Sequence, residues 1–212
     1  IHGQGEFDFA NGDRFEGTWK SDLRDGQGKI NYADGDRYDG DWKSDLRDGQ
    51  GTYNYSNGDK YIGDWQNNVR MGQGKFIYAN GASYDGEWSD GIREGSGIFM
   101  DEKGSIYDGD WRDDLRTGQG TYSDANGDVY VGDWKNNLRT GHGKITYSNG
   151  DAYDGDWKNN KKEGKGTSTF IVDGITYTGE FKNDSFHGKG RYNSSIGFMK
   201  RQFTTSVDIP FS

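Results

Sequence analysis

An aromatic residue recurs along this chain every 23 residues, and that period limits what the chain can fold into. The series runs from Phe15 to Tyr177, with one step of 24 at its end. A second aromatic follows each member four residues later, and a Gly-x-Gly pair begins seven residues after that. A fixed period in this range indicates a repeat array, in which each unit covers its apolar face with its neighbours.

Alternating residues within one unit predict β-strands. Tyr61, Gly63 and Trp65 are two apart, so they share one face of a strand, and Gly72 and Gly74 do the same on the next strand. Glycine weakens a strand unless a large group lies close against the backbone. We expect the indole of Trp65 to cover a cross-strand glycine. Trp65→Ala is therefore expected to weaken folding, whereas Tyr61→Phe is expected to leave folding nearly intact and to affect partner binding.

A glycine, in most units preceded by Asn or Asp, marks the turn between the two strands. A two-residue loop at 57–58 would turn Tyr61 away from Tyr53, whereas a three-residue loop pairs these two rings. That parity predicts a type I turn followed by a left-handed glycine at a bulge. The glycines concerned are Gly12, Gly35, Gly58, Gly81, Gly127 and Gly150.

The last complete unit carries one extra residue, so its turn is expected to differ. A two-residue turn at 173–174 would cancel the insertion and keep the aromatic face intact. This register places Phe170 opposite Tyr177, and Gly166 opposite Phe181.

Composition supports one sheet rather than two packed layers. The chain has few aliphatic residues but 14 Tyr, 11 Phe and 7 Trp. We predict an all-β fold, an elongated single-layer antiparallel meander of repeated β-hairpins with no helix between Gly3 and Gly190. The array is expected to fill residues 1–192 with about eight repeats, and residues 193–212 are expected to form a non-repeat C-terminal extension or cap. Because the chain opens in mid-unit without Met, we interpret it as part of something longer.

The pattern Tyr-x-Gly-x-Trp with a following Gly-x-Gly, in register from Gly3 to about Tyr192, resembles the MORN (membrane occupation and recognition nexus) repeat. The resemblance implies a curved sheet whose groove holds a helix, from a partner or from the same chain. Similar proteins build radial-spoke heads in cilia, junctions between membranes and cytoskeletal scaffolds. Others are attached to lipid kinases or methyltransferases.

The formal net charge of −9 argues against anionic partners. An acidic chain is repelled by nucleic-acid phosphates and by anionic lipid headgroups, so we expect no nucleic acid, and membrane lipids are disfavoured. The absence of cysteine excludes a disulfide framework and a cysteine zinc site. No apolar run is long enough to span a bilayer. A cytoplasmic location is expected, at the cytoskeleton or a ciliary axoneme.

No group of residues in the sequence predicts catalysis. The three histidines fall in units far apart, so they cannot converge on one metal. Acidic residues beside the motif glycine, such as Asp39 and Asp41, alternate with the aromatics and are expected on a solvated face. Cross-strand lysines are expected to neutralise them: Lys29, Lys75 and Lys144. No helix follows Gly-x-Gly, which argues against a phosphate loop. We expect no catalytic residue, no metal and no cofactor.

The aromatic face is the expected binding surface. A long apolar trough suits a helix laid lengthwise, and Tyr and Trp dominate binding hot spots. We expect the tyrosine hydroxyls to stay free at the rim of this face. The predicted partner-binding residues are Tyr38, Trp42, Tyr61, Trp65, Tyr84, Trp88, Tyr107, Trp111, Tyr130 and Trp134.

The second connection of each unit, for example residues 43–48, is expected to be a longer loop that carries an aliphatic residue followed by a basic one. Either the aliphatic side chain tucks under its own loop, or the row is offered to a partner along one edge. The possible edge contacts are Leu46, Arg47, Val69, Arg70, Ile92, Arg93, Leu115 and Arg116.

These observations favour a non-catalytic protein–protein interaction scaffold within a larger complex. The family resemblance implies a structural component of a cilium or axoneme, similar to a radial spoke, or of a cytoskeletal assembly. Two alternatives stay open. One is a peripheral membrane or phospholipid-binding module, and the other is the regulatory repeat array of a larger enzyme such as a lipid kinase.

Overall fold

The computed structural model describes residues 1–194. Contacts divide them into two units, one formed by residues 1–104 with 111–114, the other by residues 105–110 with those from 115 onward. The described residues form seventeen β-strands and no helix. It follows that no helix within 1–194 could cross a bilayer. Of the predicted C-terminal extension, 193–212, Asn193 and Ser194 lie in the last described strand, and the part from residue 195 onward lies outside the described residues.

Nine strands belong wholly to the first unit, and seven follow in the second. The first unit contains β1 (Gly3–Asp8), β2 (Arg14–Lys20), β3 (Leu23–Asn31), β4 (Arg37–Lys43), β5 (Leu46–Asn54), β6 (Lys60–Gln66), β7 (Val69–Ile77), β8 (Ser83–Ser89) and β9 (Ile92–Met100). Strand β10 (Ile106–Arg112) is divided between the units after Asp110. The second unit continues with β11 (Leu115–Ser123), β12 (Val129–Lys135), β13 (Leu138–Thr146), β14 (Ala152–Lys158), β15 (Lys161–Phe170), β16 (Ile175–Lys182) and β17 (Ser185–Ser194).

Successive strands within each unit pair antiparallel. In the first unit Tyr53 lies opposite Tyr61, Gly51 opposite Gly63, and Gly49 opposite Trp65. This is the register predicted from the parity of the turn, and the second unit repeats it from β11 to β14. The predicted fold class is confirmed, because residues 1–194 are all-β and the strands of each unit form a single-layer antiparallel meander of hairpins.

The glycine turns are also confirmed. Tyr55 N donates to Asp59 O at 2.9 Å, and Gly58 N donates to Tyr55 O at 3.0 Å. The φ angle at Gly58 is 93°, and the other five predicted glycines have φ between 90° and 96°. Glycine adopts this left-handed region without a steric cost. The turn therefore explains why a glycine recurs at this position.

The turn of the last complete unit was predicted wrongly. A four-residue loop, Ile171–Gly174, replaces the two-residue turn, because Phe170 lies opposite Ile175 and Phe181 lies opposite Gly164. Gly174 N donates to Ile171 O at 3.2 Å and closes the loop. The loop absorbs the extra residue, so the glycines and aromatics of this hairpin keep the register of the other repeats.

The prediction of a long second connection was also wrong. Lys43 lies opposite Leu46, so the connection is the two-residue turn Ser44-Asp45. Their φ angles are 50° and 70°, as a type I′ turn requires at both central residues. Asp and Asn tolerate this left-handed backbone better than other side chains do. The following residues, including Arg47, therefore lie on a strand.

A bulge accounts for the residues that seemed to need a loop. Gly40 lies opposite Gly51 and Trp42 opposite Arg47, so a single residue of β4 faces three residues of β5. The carboxylate of that single residue, Asp41, accepts a hydrogen bond from the backbone N of Gln50 at 2.8 Å. The bulge restores the glycine register after each tight turn.

Candidate functional site

A row of buried tyrosines forms the floor of the aromatic face. Tyr61 is fully buried, and its ring lies against the paired glycines Gly63 and Gly74. A Cβ on Gly74 would stand 2.2 Å from Tyr61 Oη, so no other residue fits there without a shift. Trp65 does reach a cross-strand glycine, because its Nε1 donates to Gly51 O at 3.3 Å, but it is not the ring that lies against Gly63 and Gly74. Tyr61 covers that pair, because its ring lies along its own strand and over the next one.

The sequence analysis expected the tyrosine hydroxyls to stay free at the rim of the aromatic face, and this expectation was wrong. Tyr61 Oη donates to the carbonyl oxygen of Asp64 at 3.0 Å. The same bond, to the residue three places on, is made by Tyr38, Tyr84, Tyr107, Tyr130, Tyr153 and Tyr177. Burial raises the pKa of these phenols, and for Tyr130 the pKa rises to about 12. The hydroxyls thus tie each ring to its own strand.

The tryptophans link one repeat to the next. Trp88 Nε1 donates to the carbonyl oxygen of Gly74 at 2.8 Å. Tyr61 contacts Trp65 and Trp88 edge to face, at centroid distances of 5.1 and 5.5 Å. In the second unit Tyr130 contacts two tryptophans in the same way. Edge-to-face contacts and an indole hydrogen bond hold neighbouring repeats at a fixed distance.

A row of basic side chains lies above these rings. The guanidinium of Arg70 stands 4.4 Å from the centroid of Trp88 and donates to Gly91 O at 2.6 Å. Such cation–π contacts are strongest over indole. We call this set the arginine row: Arg24, Arg47, Arg70 and Arg93 in the first unit, and Arg116, Arg139 and Lys162 in the second.

The predicted edge residues separate into two groups. Arg47, Arg70, Arg93 and Arg116 belong to the arginine row, so they lie over the aromatic face and not on a loop. The aliphatic residues beside them stand on strands as well, with Val69 exposed and Leu46, Ile92 and Leu115 half-buried.

The ten predicted partner-binding residues all lie on the aromatic face of their own unit and are at most 5% exposed. Their contact with a partner stays a prediction.

Half-buried rings stand above these residues, and the sequence analysis missed them. We call them the outer row: Tyr32, Tyr55, Tyr78 and Tyr147. A signal was present in the sequence, because each of these tyrosines stands four residues after the second glycine of a Gly-x-Gly pair.

The second unit contains an open groove of about 510 Å³ on this face. Tyr130, Trp134 and Trp157 form its floor. Arg139 and its neighbours in the arginine row border one side, and Asp124 borders the other. Asp124 occupies the outer-row position that Tyr147 fills in the next repeat. The smaller side chain leaves the groove open above the floor there.

The opposite face is polar, as predicted. Lys29 pairs with Asp39 at 3.4 Å, and Lys75 pairs with Asp85 at 3.5 Å. His142 Nε2 lies 2.9 Å from a carboxylate oxygen of Asp154, in the repeat where a lysine pair was expected. Within residues 1–194 no three His, Asp or Glu side chains are placed to hold a metal ion. This face presents paired surface charges.

The floor geometry gives the first test. Tyr84→Phe is expected to lower the free energy of unfolding by about 1 kcal/mol, because the carbonyl of Glu87 loses a part-buried hydrogen bond. Because Tyr61 donates the same hydrogen bond, Tyr61→Phe is now expected to weaken folding as well, and not to leave it nearly intact. Urea denaturation measures the difference, with Tyr78→Phe in the half-buried outer row as the matched control. Equal effects of the two variants would show that the hydroxyl bond does not stabilise the floor.

Comparison with known proteins places this repeat in a described family. A model described as MORN repeat matches nine segments: residues 1–14, 15–37, 38–60, 61–83, 84–106, 107–129, 130–152, 153–171 and 177–197. A search of curated protein sequences found no match.

Two solved structures are similar at low identity. The wild-type TCP10 domain of Danio rerio CPAP is 11% identical, with a TM-score of 0.47, over 95% of this chain and 100% of that one. The TCP domain of Drosophila melanogaster SAS-4 (dCPAP), solved in complex with a proline-rich motif of Ana2 (dSTIL), is 14% identical. Its TM-score is 0.42, over 95% of this chain and 90% of that one.

Proposed function

This chain belongs to the MORN repeat family, and from that premise we propose that it is a non-catalytic scaffold that binds a protein partner on its aromatic face. The observation that carries the proposal is the two-level construction of that face. Tyr130 and Trp157 are buried and fully hydrogen-bonded in the floor, whereas Tyr147 is half-buried above them and lines an open groove. The floor maintains the fold, and the outer row is available to a partner.

The groove fits a helix laid lengthwise. Its floor is apolar and aromatic, it runs across successive strands, and its borders are charged. An amphipathic helix places an apolar stripe into such a groove and keeps polar flanks on both sides. Aromatic residues and arginine, which form the floor and one border, are enriched in binding hot spots. A helix from another protein is therefore the partner we propose.

A role in a cilium, an axoneme or another cytoskeletal assembly is the finer part of the proposal. It rests on what similar repeat proteins build. Expression of a fluorescent fusion in a ciliated cell tests it, and enrichment along the axoneme is the expected result. A uniform distribution through the cytoplasm would contradict the ciliary role and would leave the binding function to be tested separately.

Photo-crosslinking tests the binding function directly. A benzoylphenylalanine at Tyr147 points into the groove, and the same group at the adjacent Thr146, exposed on the opposite face, is the matched control. We expect discrete crosslinked products in cells from position 147 and few from position 146. Products from position 146 alone would place the binding surface on the polar face.

A further inference from the structure

Five of the glycine turns carry an Asn-Gly pair at their tip. The asparagines are Asn11, Asn57, Asn80, Asn126 and Asn149, and all five are exposed. Glycine has no side chain to hinder an attack by its backbone nitrogen on the preceding carboxamide. Asn-Gly is therefore the dipeptide most prone to lose ammonia and become acidic.

Two of these turns are chemically identical, so they can be compared directly. Residues 10–13 and residues 125–128 both read Ala-Asn-Gly-Asp. The φ angles of Gly12 and Gly127 are 94° and 96°. Each glycine N–H donates to the carbonyl oxygen three residues back, at 3.0 Å in both turns. The attacking nitrogens thus have the same neighbours in sequence and the same backbone setting.

The carboxamide of Asn11 is held at both ends. Its Nδ2 donates to the carboxylate of Asp13 at 2.9 Å, and its Oδ1 accepts from Asp13 N at 3.1 Å. The turns of Asn57 and Asn149 have the same two hydrogen bonds. Asn80 keeps the bond at Oδ1, which accepts from Ala82 N at 3.0 Å. These bonds must break before the carboxamide carbon can turn toward the glycine nitrogen.

The carboxamide of Asn126 makes neither bond. Asp124 Oδ1 accepts from Asn126 N at 2.7 Å and from Asp128 N at 3.2 Å, so it takes the N–H that would hold the asparagine. Within residues 1–194 the side chain of Asn126 has no hydrogen-bond partner.

The residue at the outer-row position explains this difference. Asp124 stands where Tyr147 stands in the next repeat, and a tyrosine ring cannot accept these backbone hydrogen bonds. In the first unit Asp101 occupies the same position, and its carboxylate accepts from Lys103 N at 2.9 Å in the same way. Exchange of an outer-row ring for Asp therefore changes the hydrogen bonds of the turn that follows.

We propose that Asn126 is a site of spontaneous deamidation, which the fold leaves open while it protects the same tetrapeptide at Asn11. Gly127 N gives up its proton to solvent and attacks Asn126 Cγ. The N–Cγ bond forms and the Cγ–Nδ2 bond breaks, and ammonia leaves after water returns a proton to Nδ2. Water then opens the cyclic succinimide at either carbonyl, which gives an aspartyl or an isoaspartyl residue. The reaction needs water and no other reactant.

Both products change the groove of the second unit. A new carboxylate arises beside Asp124 and Asp128, which line that groove. An isoaspartyl residue also lengthens the backbone of the turn by a carbon atom. Asp128 Oδ1 accepts from Ser148 N at 2.9 Å and links this turn to the next one, so a longer backbone displaces that link. The reaction needs no partner and is independent of the proposed function.

Peptide mapping of the whole chain tests the proposal. The protein is kept in mildly alkaline buffer, samples are digested at intervals, and mass spectrometry measures the amide lost at each Asn-Gly pair. Asn126 is expected to react about tenfold faster than Asn11, the factor expected for two exposed hydrogen bonds. Asn80 should fall between them. In urea Asn11 and Asn126 should react equally. A folded-state rate at Asn126 no higher than at Asn11 would overturn the proposal, and so would a difference that persists in urea.

Two variants at one position separate hydrogen bonding from charge. Asp124→Tyr restores the outer-row ring and leaves Asp128 N available to the carboxamide, so the rate at Asn126 is expected to fall about tenfold. Asp124→Asn removes the charge but keeps an oxygen acceptor, so Asn126 is expected to stay fast. Asn149 in the same samples should stay slow in both variants. An unchanged rate in Asp124→Tyr, or an equal fall in both variants, would show that the proposed cause is wrong.

Discussion

Gly74→Ala is expected to abolish folding or to lower the free energy of unfolding by about 3 kcal/mol or more. The new Cβ would lie 2.2 Å from Tyr61 Oη and 2.5 Å from its Cζ. The ring cannot retreat easily, because it is fully buried and packs against Trp65 and Trp88. Circular dichroism with urea denaturation measures the effect, and loss of the β-sheet signal is the expected extreme.

Two glycines provide matched controls for that variant. Gly5 is the same motif position in the first repeat, but a Cβ there would meet Trp19 at an ordinary 3.6 Å, so Gly5→Ala is expected to be nearly neutral. Gly81 has φ of +90° and open space, so Gly81→Ala is expected to cost only about 1 kcal/mol from the backbone. If all three variants were equally stable, the close ring–glycine contact would not be a constraint on folding.

Alkaline pH is expected to unfold the protein between about pH 10 and 12, where buried phenols make stability depend on ionisation. Burial raises the pKa of Tyr130 to about 12 and raises those of Tyr38, Tyr61, Tyr84, Tyr107 and Tyr153 as well. Below pH 10 both states keep the phenol proton, so the stabilisation is fully present. Above pH 10 the unfolded chain releases its protons while the folded chain retains them, so unfolding becomes steadily more favourable.

Tyrosinate absorbance and far-UV circular dichroism, recorded together, check this expectation. The absorbance of the floor tyrosines should rise only as the β-sheet signal falls. Tyr130→Phe removes one of the responsible groups, so its stability should fall less steeply with pH than that of the parent chain. Complete ionisation near pH 10 with an unchanged β-sheet signal would mean that the floor is open to solvent.

Repeat periodicity and side-chain parity were sufficient to predict most of the fold. The 23-residue period identified the repeats, and the alternation of Tyr61, Gly63 and Trp65 identified the strands. Pairing Tyr53 with Tyr61 then required a three-residue turn with a left-handed glycine, as the structure has it. These properties depend on the backbone pleat, which a sequence pattern reports directly.

Compensating irregularities could not be predicted in the same way. A tight turn at Ser44-Asp45 and a bulge beside Gly49 each shift the register, and only their sum is visible in the spacing of motif glycines. A long loop explains that sum equally well. The insertion before Tyr177 presents the same ambiguity, since either a shorter or a longer turn keeps the aromatics in alternation.

Side-chain direction was the other missing information. Sequence spacing places Tyr61 and Trp65 on one face but does not say which ring bends over the glycines. The bulge decides this, because it moves Gly74 opposite Gly63, within reach of the tyrosine ring. The arginine row followed from the same bulge and turn, which place Arg70 on the strand over Trp88.

Affinity and stability measured on the same variants test the division of the aromatic face into a structural floor and a binding outer row. A partner recovered by crosslinking from position 147 would be purified and titrated against Tyr147→Ala, Thr146→Ala and Tyr153→Phe. Our account predicts that Tyr147→Ala weakens binding about tenfold with little loss of stability. It also predicts that Tyr153→Phe lowers stability with affinity unchanged. Weaker binding by Thr146→Ala together with unchanged binding by Tyr147→Ala would contradict the account.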